Sequence, residues 1–188
     1  MRAFVEAHGP RTILRPASGG GSRGVVAGDT AQDILDALRG TDWEHSDFLL
    51  SQFVVGVEVS AACIVLDGVL EHLPILQTEH DGVVYDYEAK HDQTRRRHQC
   101  PAPLDEDVAQ EVRDACAGLY EALGLRGYVR FDFLVSADRV PWFLEVNMLP
   151  GMSRTGNLAT MAAAAGLTFS QLVRRQLDSA GGIERYRS

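Results

Sequence analysis

GYVRFDFLVSADRVPWFLEVNMLPGM, Gly127 to Met152, decides the fold. Two stretches with strand alternation flank the polar link SADR. Side chains on a strand point to alternate faces. In GYVRFDFLV, Val129, Phe131, Phe133 and Val135 point one way, and Arg130 and Asp132 point the other. In PWFLEVN, Trp142, Leu144 and Val146 share one face, with Phe143, Glu145 and Asn147 opposite. If both apolar sets meet the core together, the register gathers Arg130, Asp132, Glu145 and Asn147 on one common face.

Two readings of that face compete. Carboxylates held close together repel each other, and one of their pKa values rises. A hard divalent cation removes the conflict. Carboxylate and amide oxygens suit Mg²⁺, which keeps its remaining positions for water and phosphate oxygens. Arg130 could then hold an anion beside the metal. The plainer reading is a solvent-facing polar strand face on which Arg130 pairs with a carboxylate.

Outward from this hairpin, DEDVAQEVRDACAGLYEALG carries the clearest helical pattern. Val108, Val112, Ala115, Leu119 and Leu123 recur at helical spacing, acids crowd the first turn, and Gly124 ends it. After the hairpin comes a helix over roughly 157–165. TFSQLVRRQL follows, with Thr168 as a cap facing Gln171. Towards the N-terminus, RTIL and VVAG read as strands around the glycine-rich ASGGGSRG. TAQDILDALRG reads as a helix that turns Ile34, Leu35 and Leu38 to one side and stops at Gly40. FLLSQFVVG reads as a buried strand, and VEVSAACIVLDGVLEHLPIL as two strands around the Asp67-Gly68 turn. Residues 77–103 read as polar and irregular. Strands and helices alternate, but the hairpins argue for antiparallel pairing, so the fold class is α+β.

Composition narrows the function. The formal net charge of -8 argues against a general nucleic-acid surface. TRRRHQ, Thr94 to Gln99, is the densest basic spot and reads as a solvated loop. The three cysteines, Cys63, Cys100 and Cys116, form no CxxC and suggest neither a disulfide framework nor a zinc site. With no signal-peptide core and no apolar run of about 18 residues, the expectation is a cytoplasmic protein with no membrane contact.

GYVRFDFLVSADRVPWFLEVNMLPGM with MAAAAGLTFSQLV resembles the C-terminal part of the D-alanine–D-alanine ligases, members of the ATP-grasp superfamily. VVYDYEAKH resembles that family's segment with a phosphate-binding lysine. ILRPASGGGSRGV resembles its strand plus glycine-rich loop, and FVVGVEVSAACI its Gly-x-Glu strand. The resemblance implies an ATP-grasp fold of antiparallel sheets with flanking helices. It implies residues 1–78 as a partial central lid subdomain with the glycine-rich loop and nucleotide-binding strands. Residues 79–188 would form the C-terminal subdomain with the metal site. The family's N-terminal domain has no counterpart in this reading.

The implied activity is ATP-dependent joining of two D-alanines through an acyl phosphate, for peptidoglycan precursors. Carried over residue by residue, Asp132, Glu145 and Asn147 match metal ligands for Mg²⁺, with Mn²⁺ as an alternative. Arg130 matches the arginine that steadies the transferred phosphoryl group. Gly151 matches a backbone amide near the tetrahedral oxyanion. Lys90 matches the phosphate-binding lysine, and Glu58 the acid on the ribose hydroxyls. Gln52 and Val54 fall at the adenine connection, Ser22 in the glycine-rich loop, and Leu144 among the nucleotide contacts.

Several positions depart from the family pattern. Arg15 stands where a lysine is usual, and arginine binds phosphate as a fork rather than a point. Ser51-Gln52 replaces the common Glu-Lys pair, and Gly21 the loop serine before Ser22. SRTGN after Met152 differs from the usual serine-leucine pattern that meets the dipeptide carboxylate. Two alternatives therefore stand beside the D-alanine reading: a carboxylate–amine ligase for another amino acid, and a non-catalytic nucleotide-binding module. Expected partners are ATP and D-alanine or a related amino acid, with a separate N-terminal-domain chain or a homodimer as the assembly.

Overall fold

The computed structural model describes residues 2–8, 11–18, 22–39, 47–66, 69–80 and 96–179. Lys90, the Asp67-Gly68 turn, Gly40 and the first glycines of the loop lie outside the described residues. The chain divides into two compact units. One comprises Met1–Val54 with His80–Arg97, and the other Val55–Glu79 with His98–Ser188. The expected boundary at 78/79 instead falls inside a strand, Leu76–His80. Residues 55–79 go with the C-terminal half because their strands share its sheet.

In the first unit, β1 (Thr12–Pro16) lies between β2 (Val26–Gly28) and β3 (Phe48–Gln52), antiparallel to both. A short helix α1 (Arg2–His8) precedes them, and α2 (Ala31–Arg39) follows β2. Thr30 and Asp33 cap α2 reciprocally. The Thr30 N–H donates to Asp33 Oδ2 at 2.8 Å, and the Asp33 N–H to Thr30 Oγ1 at 3.2 Å. Of the three apolar residues expected to face inward, Ile34 is fully buried and Leu35 is exposed. Gly28 makes room for Ile34, since a Cβ at Gly28 would stand 2.7 Å from Ile34 Cδ1.

The second sheet has the order β7-β6-β4-β8-β9, with β5 also pairing β4. Its strands are β4 (Gly56–Leu66), β5 (Val69–His72), β6 (Leu76–His80), β7 (Arg96–Gln99), β8 (Val129–Ser136) and β9 (Pro141–Asn147). Two expectations are corrected here. FLLSQFVVG is not one strand, because β3 stops at Gln52 and β4 begins at Gly56. Residues 77–103 are not wholly irregular, because Gln77 and Thr78 are buried in β6, which runs to His80, and Arg96–Gln99 of the basic spot forms β7. Ladder pairing, not apolar content, holds these polar strands.

Gly56 has a steric cause. It sits opposite Ser136, and a Cβ there would lie 2.3 Å from the Val135 carbonyl oxygen.

Helices cover both faces of this sheet. On one, α3 (Glu106–Ala122) packs Val108, Val112, Cys116 and Tyr120 against Val59, Ala61 and Cys63 of β4 and Val129, Phe131, Phe133 and Val135 of β8. The buried stripe of α3 runs at i, i+4 and not toward Leu123, which is 55% exposed. Tyr120 fixes this rotation by donating its hydroxyl to the Gly127 carbonyl at 2.9 Å. Gly124, at φ +59, ends the helix as expected.

On the other face, α4 (Asn157–Ala164) and α5 (Phe169–Ser179) bring Leu158, Met161, Ala162 and Leu172 onto Ala62, Ile64 and Leu76. Thr168 and Gln171 form the expected capping pair, with the Gln171 N–H donating to Thr168 Oγ1 and the Thr168 N–H to Gln171 Oε1. Farther along α5, Gln176 Oε1 accepts the Tyr128 N–H at 2.6 Å. Among the described residues, no helix is long and apolar enough to cross a membrane.

Candidate functional site

Strand β8 alternates buried and half-buried residues without interruption. Val129, Phe131, Phe133 and Val135 face α3, leaving Arg130 and Asp132 on the opposite face. Across the β8–β9 ladder, Arg130 pairs with Asn147 and Asp132 with Glu145. The four polar residues therefore share one face, as the alternation of both strands requires. Across the β4–β8 ladder, Ser60 pairs with Asp132 and Glu58 with Leu134, so Glu58 and Ser60 join the same face. α4 and α5 cover its Ala62 end.

The register slips once. Phe133 pairs with Phe143, so Leu144 is an extra residue, bulged opposite the step between Asp132 and Phe133. The bulge carries Phe143 to the core side, against the expected alternation, and sends Trp142 to the polar side opposite Leu134. Leu144 itself is 38% exposed.

Asp132 is the best-held group of the set. Its Oδ1 accepts the Ser60 hydroxyl at 2.6 Å and Arg130 Nε at 3.0 Å, and its Oδ2 accepts Arg130 Nη2 at 2.9 Å. Side-chain exposure of only 19% for Arg130 and 17% for Asp132 makes this a largely desolvated ion pair, less screened by solvent than a surface one. The pairing is the one the plainer sequence reading anticipates, but in partial burial. Glu145 is exposed and has no ion-pair partner among the described residues. Asn147 Oδ1 accepts the Leu149 N–H at 3.1 Å, which shapes the turn into Pro150-Gly151. Gly151 is exposed, and a Cβ there would meet nothing within 4 Å, so the fold itself does not demand glycine.

Ser60 escaped the sequence reading. It is 7% exposed within an otherwise apolar buried run of β4. Its signal was the two-residue spacing from Glu58, which puts both on one face.

The donor set fits a hard divalent cation carried by a phosphate ligand. Residues directly opposite in an antiparallel ladder have β-carbons roughly 4.5–5.5 Å apart, so the Asp132 and Glu145 carboxylates can reach one ion. Glu145 and Asn147 Oδ1 retain lone pairs beyond the bonds described, whereas the Asp132 oxygens accept four contacts from Ser60 and Arg130, so Asp132 would meet an ion by giving up part of its Arg130 contact. Among the described residues no group of three or more His, Cys, Asp or Glu is placed to hold a metal. Two carboxylates and a carboxamide instead suit Mg²⁺ that completes its shell with water and phosphate oxygens.

The remaining candidates from the sequence lie in both units. Glu58, Leu144 and Gly151 belong to the second, and Arg15, Ser22, Gln52 and Val54 to the first. Arg15 lies on β1 opposite Leu49, its Nε buried with no hydrogen-bond partner among the described residues. Ser22 adopts φ +59 in the turn before Val25. Gln52 is exposed at the end of β3, and Val54 is half-buried. The cysteines are unsuited to nucleophilic work. Burial pushes the Cys63 thiol up to about 12, and pushes Cys116 and Cys100 upward as well.

Residues 1–178 match the family model for the D-Ala–D-Ala ligase C-terminus. The chain belongs to that family. It is 36% identical over 178 residues to a D-alanine–D-alanine ligase of Gloeobacter violaceus, covering 94% of this chain and 58% of the relative. A D-alanine–D-alanine ligase of Syntrophotalea carbinolica is 36% identical over 169 residues, which cover 89% of this chain and 53% of that one. The chain thus spans about half the length of the curated relatives it matches. The crystal structure of a D-alanine–D-alanine ligase from Bacillus anthracis superposes with a TM-score of 0.77 at 26% identity, over 99% of this chain and 59% of that one. The VanG D-Ala:D-Ser ligase of Enterococcus faecalis, at a TM-score of 0.76 and 24% identity over 93% of this chain and 51% of that one, shares the fold. The antiparallel sheets with flanking helices are those of the ATP-grasp ligases in this family.

Proposed function

We propose that this chain carries the phosphoryl-transfer site of an ATP-dependent ligase that joins two D-alanines for peptidoglycan precursors in the cytoplasm. The observation that carries the reading is the single sheet face shared by Arg130, Asp132, Glu145 and Asn147, with Asp132 directly opposite Glu145. ATP would phosphorylate the carboxylate of one D-alanine, and the amine of a second would displace phosphate from the acyl phosphate. Such transfer needs positioning and charge neutralisation more than covalent help. Asp132, Glu145 and Asn147 would hold Mg²⁺, or Mn²⁺, which when bound neutralises charge on the phosphate oxygens.

Arg130, already oriented on this face, supplies a guanidinium to the transferring group. The Gly151 N–H would meet a developing oxyanion, consistent with a glycine the fold does not require. Glu58 would take the ribose hydroxyls, Gln52 and Val54 the adenine, and Leu144 would be a further nucleotide contact. Lys90, Ser22 and Arg15 would meet its phosphates. Arg15 Nε, without a hydrogen-bond partner among the described residues, supports that last role, since a buried donor calls for an acceptor. Assembly with a separate N-terminal-domain chain, or as a homodimer, belongs to the same proposal.

A second amino-acid specificity is favoured by one observation. SRTGN departs in sequence from the serine-leucine pattern, and its Arg154 lies over the Phe169 ring at 4.7 Å. Calorimetry of ATP binding with and without Mg²⁺ tests the main reading. A Mg²⁺-dependent gain is expected, reduced at least about tenfold by Asp132→Ala or Glu145→Ala. Equal affinity with and without Mg²⁺ would sink it. Phosphate release on adding D-alanine, compared with D-serine and other amino acids, separates the two specificities. No release with any of them favours a non-catalytic nucleotide-binding module.

A further inference from the structure

We infer that Ser60 is a positioning residue for Asp132. The inference rests on the proposed phosphate–metal role of the Arg130/Asp132/Glu145/Asn147 face and extends it to a residue on a different strand. Asp132 has two kinds of donor. Arg130 is its neighbour along β8, reaches it by a long flexible side chain and engages both oxygens. Ser60 reaches across from β4 with a short side chain fixed by the β4–β8 ladder, and engages Oδ1 alone.

These donors differ in what a bound anion does to them. Arg130 holds Asp132 through Nε and Nη2 and keeps other N–H donors for a phosphoryl group, so a cation at Oδ2, or a shift of the guanidinium toward that group, loosens its hold on Asp132. The Ser60 bond has no such competitor. Ser60 is 7% exposed, among the buried residues of β4. A hydroxyl on Oδ1 therefore keeps the carboxylate plane set while Oδ2 is released toward the face shared with Glu145. Without it, a carboxylate that loses Arg130 is free to turn about its side-chain torsions. Orientation by a hydrogen-bonded neighbour commonly decides metal affinity.

Three substitutions at Ser60 separate a hydroxyl requirement from a packing requirement. Ser60→Ala removes the donor, Ser60→Cys keeps a side chain of similar size with a weak donor, and Ser60→Thr keeps the hydroxyl. The probe is Mn²⁺ with a non-hydrolysable ATP analogue on the 188-residue chain. Affinity is read by water-proton relaxation and metal environment by electron paramagnetic resonance. Ser60→Ala and Ser60→Cys are expected to weaken Mn²⁺ in the ternary complex about 10- to 100-fold. Metal-free nucleotide binding should stay near wild type, and Ser60→Thr should restore affinity and the resonance line shape.

Wild-type Mn²⁺ affinity in either Ser60→Ala or Ser60→Cys overturns the inference. So does Ser60→Thr as weak as alanine, because packing would then be the cause. Should Ser60→Ala not fold, the Cys and Thr pair decides alone. Asp132→Ala distinguishes the two levels. If it abolishes Mn²⁺ binding while Ser60→Cys does not affect it, only the positioning role falls. If it leaves Mn²⁺ binding intact, the site reading falls and takes the positioning role with it.

Discussion

Phe143 stands edge-on to Phe133, ring centroids 5.7 Å apart and planes at 67°, because Leu144 bulges out of the ladder between them and the Asp132–Glu145 pair. Strict alternation would put Trp142 on the core face instead. Truncation therefore ranks the two rings. Phe143→Ala should cost about 1–2 kcal/mol in urea unfolding, since it loses an aromatic pair as well as partial burial. Trp142→Ala, on the other face and half exposed, should cost no more than about 0.5 kcal/mol. The reverse order would refute the bulge.

Gly56→Ala should destabilise the chain by about 2 kcal/mol or more, from the clash with the Val135 carbonyl. The β4–β8 ladder must part for a methyl group to enter. An unfolding midpoint equal to wild type would show that the strands are not so close.

Arg130 and Asp132 should couple in a double-mutant cycle by about 1–3 kcal/mol, measured with the alanine variants in denaturant. The low exposure of both side chains keeps solvent from screening the pair as it would at the surface. A coupling below about 0.5 kcal/mol would place it with ordinary surface ion pairs.

His72 supplies a pH dependence. Burial holds its imidazole below the usual 6.5, Arg113 lowers it further, and Asp114 opposes them. The unfolded chain therefore takes up a proton more readily than the folded one. This contribution to stability is complete above pH 6.5 and is lost as pH falls through the depressed folded value. Urea midpoints measured from pH 7.5 down to about 5 should fall less steeply in His72→Gln than in wild type. Equal slopes would remove His72 from the account.

Much of this was legible in the sequence because regular elements write their period into it. The alternation of β8 was readable residue by residue, as was the shared face of Arg130, Asp132, Glu145 and Asn147. The Thr168–Gln171 cap carried a local signature. The bulge did not, because in PWFLEVN apolar residues occupy both faces and hide a one-residue slip. β6 and β7 were missed because polar strands hold by backbone pairing and leave no period-two mark. The stripe of α3 was rotated by Tyr120, whose hydroxyl target at Gly127 lies beyond the helix. Ser60 was overlooked for a related reason: its partner is 72 positions away, and only the sheet brings them together.

The bond that the Tyr128 N–H donates to Gln176 makes α5 a fastener for the strand bearing Arg130 and Asp132. Shortening the protein before that glutamine would leave the strand's entry loose two residues from the guanidinium. A side chain 48 positions downstream thereby governs how firmly the central residues of the sheet are held.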